Sequence, residues 1–212
     1  MNQDPPVKAF IRYRTLTAAF AAVLLLSACA RTPQPPVIAD NRSAFWTQHQ
    51  HQAATLSRWN IMGKLGIRTA QQSNSARINW QQLDTAFDIH ITSLLGQGVA
   101  TLTGTTGDTH IKLAGHGEFD SSNPEALLLQ QLGWTLPIDA LNYWVRGIPA
   151  PDNKAFYQLN EQGLLATMQQ GGWHLSFSRY QTLDSHTLPS KIGLQRGEIT
   201  LTLLIKRWSL TP

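Results

Sequence analysis

From Asn60 onward the chain alternates apolar and polar residues with a period of two, in short runs separated by turns. Ile61, Gly63, Leu65 and Ile67 alternate with Met62, Lys64, Gly66 and Arg68. Ala76, Ile78 and Trp80 alternate with Arg77, Asn79 and Gln81, and Phe87, Ile89 and Ile91 with Asp88, His90 and Thr92. Successive side chains on a strand point to opposite faces, so this pattern buries one face of an antiparallel sheet and wets the other. Further strand candidates are 99–104, 110–114, 156–160, 164–170, 173–180, 188–194 and 198–208. Asn, Asp, Gly and Ser cluster between the runs, as turns require. About ten or eleven strands without crossover helices predict a mainly β protein, a curled antiparallel sheet or a barrel. The polar positions are Lys, Arg, Asn, Gln, Asp and Thr. An integral membrane barrel would need an apolar outer band there instead.

Helical spacing occurs in two places. Phe45, Trp46, His49, Ala53 and Leu56 fall on one side of a helix within 42–59, which predicts an amphipathic helix packed on the sheet. Ser122-Asn123-Pro124-Glu125 supplies a capping side chain, a first-turn proline and an early glutamate, and the pattern runs on to Gly133. A second short helix fits 137–145, stopping at Gly147 with Pro149 beyond. The strand run is thus interrupted once, by a helical insert.

The N-terminus has a different character. Arg12 and Arg14 precede an apolar run, Leu16 to Leu26, that is shorter than the roughly 20 residues of a membrane-spanning helix. It ends in Leu26-Ser27-Ala28-Cys29, the pattern of a bacterial lipoprotein signal whose cysteine is lipidated after cleavage. Cys29 is the only cysteine of the 212 residues, so lipidation leaves no thiol for a disulfide or for catalysis. The expected organisation is a signal peptide over 1–28, a lipidated N-terminus and proline-containing tether over 29–40, and one domain over 41–212. Several acyl chains together anchor a protein stably where one does so marginally. Ala30 follows the cysteine, not the aspartate that retains lipoproteins at the inner membrane. By resemblance to the lipoproteins of Gram-negative envelopes, the expected location is the outer membrane, facing the periplasm.

Charge and motifs narrow the function. Without Lys8, Arg12, Arg14 and Asp4 of the signal, 14 basic residues face 12 acidic ones, with no basic run to suggest nucleic acid binding. There is no His-Glu-x-x-His, no phosphate loop and no Gly-x-Ser-x-Gly elbow, so no catalytic residue, metal or cofactor is expected. His49 and His51 lie two apart on a helix and do not share a face, which predicts a solvated surface. His110 and His116, with Asp108 and Glu118 nearby, read as an exposed hairpin.

Two features remain. Seven tryptophans follow the signal: Trp46, Trp59, Trp80, Trp134, Trp144, Trp173 and Trp208. They either fill a core or line an apolar cavity inside a curled sheet. In Ser93-Leu94-Leu95-Gly96-Gln97-Gly98 two leucines occupy a turn between strands, where polar residues are the rule. Either both tuck back onto the sheet, or they form an exposed apolar tip that meets a membrane or an acyl chain.

These motifs occur together in a recognisable order. The lipobox is followed by Trp59 with Gly63-Lys64, the Leu94-Leu95-Gly96 hairpin, and Gly133-Trp134-Thr135-Leu136-Pro137. Leu141 with Trp144, Gly147-Ile148-Pro149, Gly172-Trp173-His174-Leu175-Ser176-Phe177, Tyr180, Leu188-Pro189 and Trp208 complete the set. The chain resembles the LolB family of outer-membrane lipoprotein receptors. That resemblance implies an unclosed antiparallel β-barrel, with an N-terminal helix and a helical insert covering an apolar cavity. It implies that the protein, a monomer, accepts acylated lipoproteins from a LolA-type periplasmic carrier and releases them into outer-membrane phospholipid. It also implies that Leu95 serves membrane insertion, with Leu94 standing where the family usually has proline. Inward-facing candidates for acyl-chain contact are Ile78, Trp80, Phe87, Ile89, Ile91, Trp173, Leu175, Phe177, Ile199, Leu201 and Leu203. Leu128, Leu132, Leu141 and Trp144 of the insert are candidates for its lid. A pocket for another amphiphile, such as lipopolysaccharide or a glycolipid, is the alternative.

Overall fold

The computed structural model describes residues 41–151 and 153–210. The signal peptide, Cys29 and the tether lie outside the described residues. Eleven strands form one antiparallel sheet. In chain order they are β1 Arg58–Arg68, β2 Ser73–Leu83, β3 Ala86–Ser93, β4 Gly98–Thr105, β5 Asp108–Leu113, β6 Gly117–Ser121, β7 Phe156–Leu159, β8 Leu165–Gln170, β9 Trp173–Leu183, β10 His186–Arg196 and β11 Ile199–Leu210. Three helices accompany them: α1 Arg42–Ala54, α2 Pro124–Leu132 and α3 Ile138–Val145.

The strand order is β6-β5-β4-β3-β2-β1-β11-β10-β9-β8-β7. The first and last strands therefore pair at the centre, while β6 and β7 are the two free edges. The barrel is unclosed, and the insert α2–α3 is the segment that joins one edge to the other. Local chemistry sets the ends of α2. Asn123 Oδ1 accepts from the Ala126 N–H at 3.1 Å, and Gly133 takes a left-handed φ of 72° with its N–H on Leu129 O.

Period-two burial holds through β2, β3, β4 and β5. A one-residue slip would turn every inward side chain to water, so the register is firm. Three expectations are corrected. Helix α1 ends at Ala54, and Trp59 belongs to β1, where it lies opposite Leu210 and Gln82. Phe45 is exposed, not packed. Strand β6 is an addition: its sequence, Gly-Glu-Phe-Asp-Ser, has no alternation, and it exists by pairing with β5.

Gly63 explains the join between β1 and β11. Their register shifts between Met62 and Gly63, so that Lys206 is an extra residue on β11. At that bulge Leu204 O lies where a side chain of residue 63 would start, and only glycine fits.

Candidate functional site

The candidate site is the inner face of the sheet together with the helices over it. Ile78, Trp80, Phe87, Ile89, Ile91, Trp173, Leu175, Phe177, Leu201 and Leu203 are all buried, as are Leu128, Leu141 and Trp144 of the insert. Leu132 and Ile199 are half-buried, at the end of α2 and the start of β11. The buried residues form one contiguous apolar cluster. Each fully buried large side chain contributes roughly 1.5–3 kcal/mol of burial free energy. Three tryptophans meet at tilted angles within it: Trp59 lies 5.1 Å from Trp80 and 5.4 Å from Trp208, ring centre to ring centre. Trp80, Trp144 and Trp208 donate their N–H groups to Gln82 Oε1, Gln170 Oε1 and Pro189 O. The indole N–H groups of Trp59 and Trp173 are buried with no hydrogen-bond partner.

Two kinds of contact hold the insert. The buried kind is strong. Gln170 on β8 accepts from Trp144 Nε1 and from the Ala150 N–H, and donates to Ala150 O and Asn153 O. Arg146, just past α3, donates to Ala53 O at 3.0 Å and Leu56 O at 2.9 Å. Its cation thus sits at the negative C-terminal end of α1. Burial pushes its pKa down from the usual guanidinium value, although five donors and several carbonyls keep it charged. His49 is buried, against the expectation of a solvated face, and its Nε2 lies 3.2 Å from Gly147 O. The second kind is single, and exposed or half-buried. Thr106 donates to Asp139 at the start of α3, and His116 meets Gln131 on α2. Arg196 lies 3.5 Å from Glu125. Burial raises the Glu125 pKa, with the Asp139 charge acting in the same direction and Arg196 opposing it.

At one end of the sheet the β3–β4 hairpin carries its leucines into solvent. Leu95 is 90% exposed and Leu94 48%. The turn itself is well made. The Ser93 N–H donates to Gln97 O at 2.7 Å, the Gly96 N–H to Ser93 O, and the Gln97 N–H to Ser93 Oγ. Gly96 supplies the positive φ of 87° that closes it. Such exposure of a whole leucine side chain at a hairpin tip has no packing reward in the isolated domain.

Sequence reasoning did not find Gln170 or Arg146, and it placed His49 both on the packed side of the helix and on a solvated surface, of which burial is the one observed. Their partners named above lie 17 to 98 positions away, and no local pattern marks them. His110 does stand on an exposed hairpin, 2.8 Å from Asp120 and 3.6 Å from Glu118.

An open antiparallel barrel whose free edges are joined by a helical insert, behind a lipobox cysteine, defines a lipid-anchored envelope protein of barrel-like fold. The profile of the family described as outer membrane lipoprotein LolB matches residues 57–208. The chain is 38% identical over 195 residues to the outer-membrane lipoprotein LolB of Stutzerimonas stutzeri, covering 92% of this chain and 95% of that one. It is 37% identical to the LolB of Pseudomonas paraeruginosa, over 93% of this chain and 97% of the relative. This chain belongs to the LolB family and is an outer-membrane lipoprotein. Two solved structures share the fold at 9% identity, each over 81% of this chain and 94% of its own: a DUF1329 family protein from Desulfovibrio piger, TM-score 0.52, and a LolA superfamily protein from Nitrosomonas europaea, TM-score 0.51.

Proposed function

We propose that this protein receives acylated lipoproteins from a LolA-type soluble carrier and releases them into the phospholipid of the outer membrane. The observation that carries this reading is Leu95, almost wholly exposed on a hydrogen-bonded hairpin of a membrane-anchored LolB-family protein. Acyl chains exposed to water cost about 0.8 kcal/mol per CH₂, so each step of transfer needs an apolar surface to receive them. The inner face of the sheet supplies that surface. In the state described, its residues pack against one another and against the insert. Cargo therefore enters by displacing the insert, whose exposed ties through Thr106 and His116 and half-buried pair of Arg196 with Glu125 are the weaker set of contacts. The buried ties through Gln170 and Arg146 act as the hinge side. On this reading the unpartnered N–H groups of Trp59 and Trp173 gain the ester or amide carbonyls of the lipid as acceptors. Anchoring through Cys29 keeps the domain at its destination, and the monomer suffices because the site lies within one chain. No step requires a catalytic group, and none is assigned.

The test is transfer itself. A labelled lipoprotein loaded on the carrier is mixed with liposomes, with and without this protein. Delivery that depends on the protein supports the reading. Delivery at the same rate without it, or binding of lipopolysaccharide in preference to acylated protein, overturns it.

A further inference from the structure

Charge is unevenly placed on this sheet. Strands β1, β2, β9, β10 and β11 contain nine lysines and arginines and no aspartate or glutamate. The described acidic residues sit in turns, on β3, β5 and β6, and on the helices. On the outer face, pairing aligns the cations. Arg77 of β2 is opposite Lys64 of β1, which is opposite Leu204 of β11, itself opposite Lys191 of β10. The β1–β11 bulge adds two more. Because Lys206 is the extra residue, it and Arg207 are both exposed, where a regular strand would turn one of them inward.

Lys64, Arg77, Lys206 and Arg207 line one groove of about 600 Å³, with Met62 and Gly63 beside them. Met62 is 43% exposed. None of the four makes an ion pair among the described residues, and Asp88 of the neighbouring strand β3 lies 2.9 Å from His90. Four uncompensated cations around an exposed thioether form a surface for an anion that carries apolar material.

We infer that this outer-face groove docks the anionic phospholipid headgroups of the membrane surface, holding the barrel on its side against the leaflet while the Leu95 tip enters it. Position favours a lipid over an acidic protein. Thr92, which also lies opposite Arg77 and lines the groove, is the next-to-last residue of β3 and three residues from Leu95. An apolar tip that enters the acyl layer therefore brings the groove to headgroup depth. Lysine and arginine side chains are long enough to reach phosphates from there while their stems stay on apolar surface. A polybasic patch and an inserted apolar group are the two signals that together hold a domain on a bilayer. This inference rests on the membrane role of the tip only for its orientation; the cationic groove stands by itself.

The test uses the full mature chain with Cys29→Ala, so that the lipid anchor does not mask weaker contacts. Its sedimentation is measured with phosphatidylcholine vesicles, with and without phosphatidylglycerol, at low and high salt. Phosphatidylglycerol is expected to raise binding at least about tenfold, and salt to abolish the gain. The variant with Lys64, Arg77, Lys206 and Arg207 all changed to Gln, checked for an unchanged melting temperature, loses that gain. If the combined variant does not fold, the pairs Lys64→Gln with Arg77→Gln and Lys206→Gln with Arg207→Gln are each expected to lose part of it. The Leu95→Glu variant is expected to bind both vesicle types less by the same factor and to keep its salt-sensitive preference for the anionic lipid. Equal binding of wild type to both vesicle types, or unchanged anionic binding of the Gln variants, overturns the proposal. An effect of the Gln variants with none of Leu95→Glu leaves the groove standing and removes the tip.

Discussion

The indole N–H of Trp144 donates to Gln170 Oε1 at 2.8 Å, joining the last turn of α3 to strand β8 inside the apolar cluster. The same amide binds the backbone of Ala150 through both its N–H and its carbonyl. One side chain thus fixes both the helix and the chain that leaves it. Replacement by leucine strands the Trp144 N–H, the Ala150 N–H and two carbonyls in a dry setting. Gln170→Leu is expected to destabilise by about 2–4 kcal/mol, with both partners' groups left unpaired. Urea unfolding checks this, and the loss is expected to exceed that of Gln169→Leu, an exposed neighbour on the same strand.

How much of this was legible follows from how local each cause is. The alternation around Trp80 and Ile89 gave the sheet, because burial on one face is written every second residue. Asn123, Pro124 and Gly133 gave α2, because caps are chemistry within one turn. The exposed pair Leu94-Leu95 stood out because turns are normally polar, although the sequence left open whether the leucines fold back. Strand β6 was invisible, since Phe119 is its one apolar side chain, only half-buried, and pairing with β5 is its main support. Arg146 and His49 were misplaced or missed for a similar reason. Their roles come from carbonyls that the fold carries to them from α1 and from Gly147, and neither neighbour in sequence hints at it.

Gly63 and Gly66 both lie on β1, yet they should respond oppositely to alanine. A methyl group at residue 63 collides with the backbone of Leu204 and Ile205, whereas at residue 66 the nearest atom is the Thr202 Cβ at 3.6 Å. Gly63→Ala is expected to cost at least about 2 kcal/mol by forcing the two central strands apart. Gly66→Ala is expected to be neutral or to stabilise by about 0.4–1 kcal/mol, through the unfolded chain. Thermal melting of the pair decides it.

His49 makes stability depend on pH in a predictable direction. Burial holds its imidazole below the ordinary value of 6.5, outweighing the carbonyls of Gly147 and Arg146, which favour the charged form. Below 6.5 the unfolded chain takes up a proton that the folded state resists. The contribution of His49 is therefore complete above 6.5 and is lost as the pH falls toward its folded value. Glu125, raised by burial, works in the opposite sense above its ordinary 4.5. Comparison with a variant cancels that effect. The advantage in melting temperature of wild type over His49→Gln should shrink from neutral pH to about pH 5. A constant difference would mean that His49 does not titrate.

The central claim is that Leu95 acts on the bilayer and does nothing for the fold. The direct measurement is a paired one on Leu95→Glu: thermal melting, and delivery of a labelled lipoprotein from carrier to liposomes. At 90% exposure the side chain has almost no packing to lose, so melting should stay within about 0.5 kcal/mol of wild type. A carboxylate is poorly tolerated in an apolar layer, so delivery should fall while cargo still leaves the carrier and binds the receptor. Normal melting with normal delivery would contradict the account, and so would a collapse of melting.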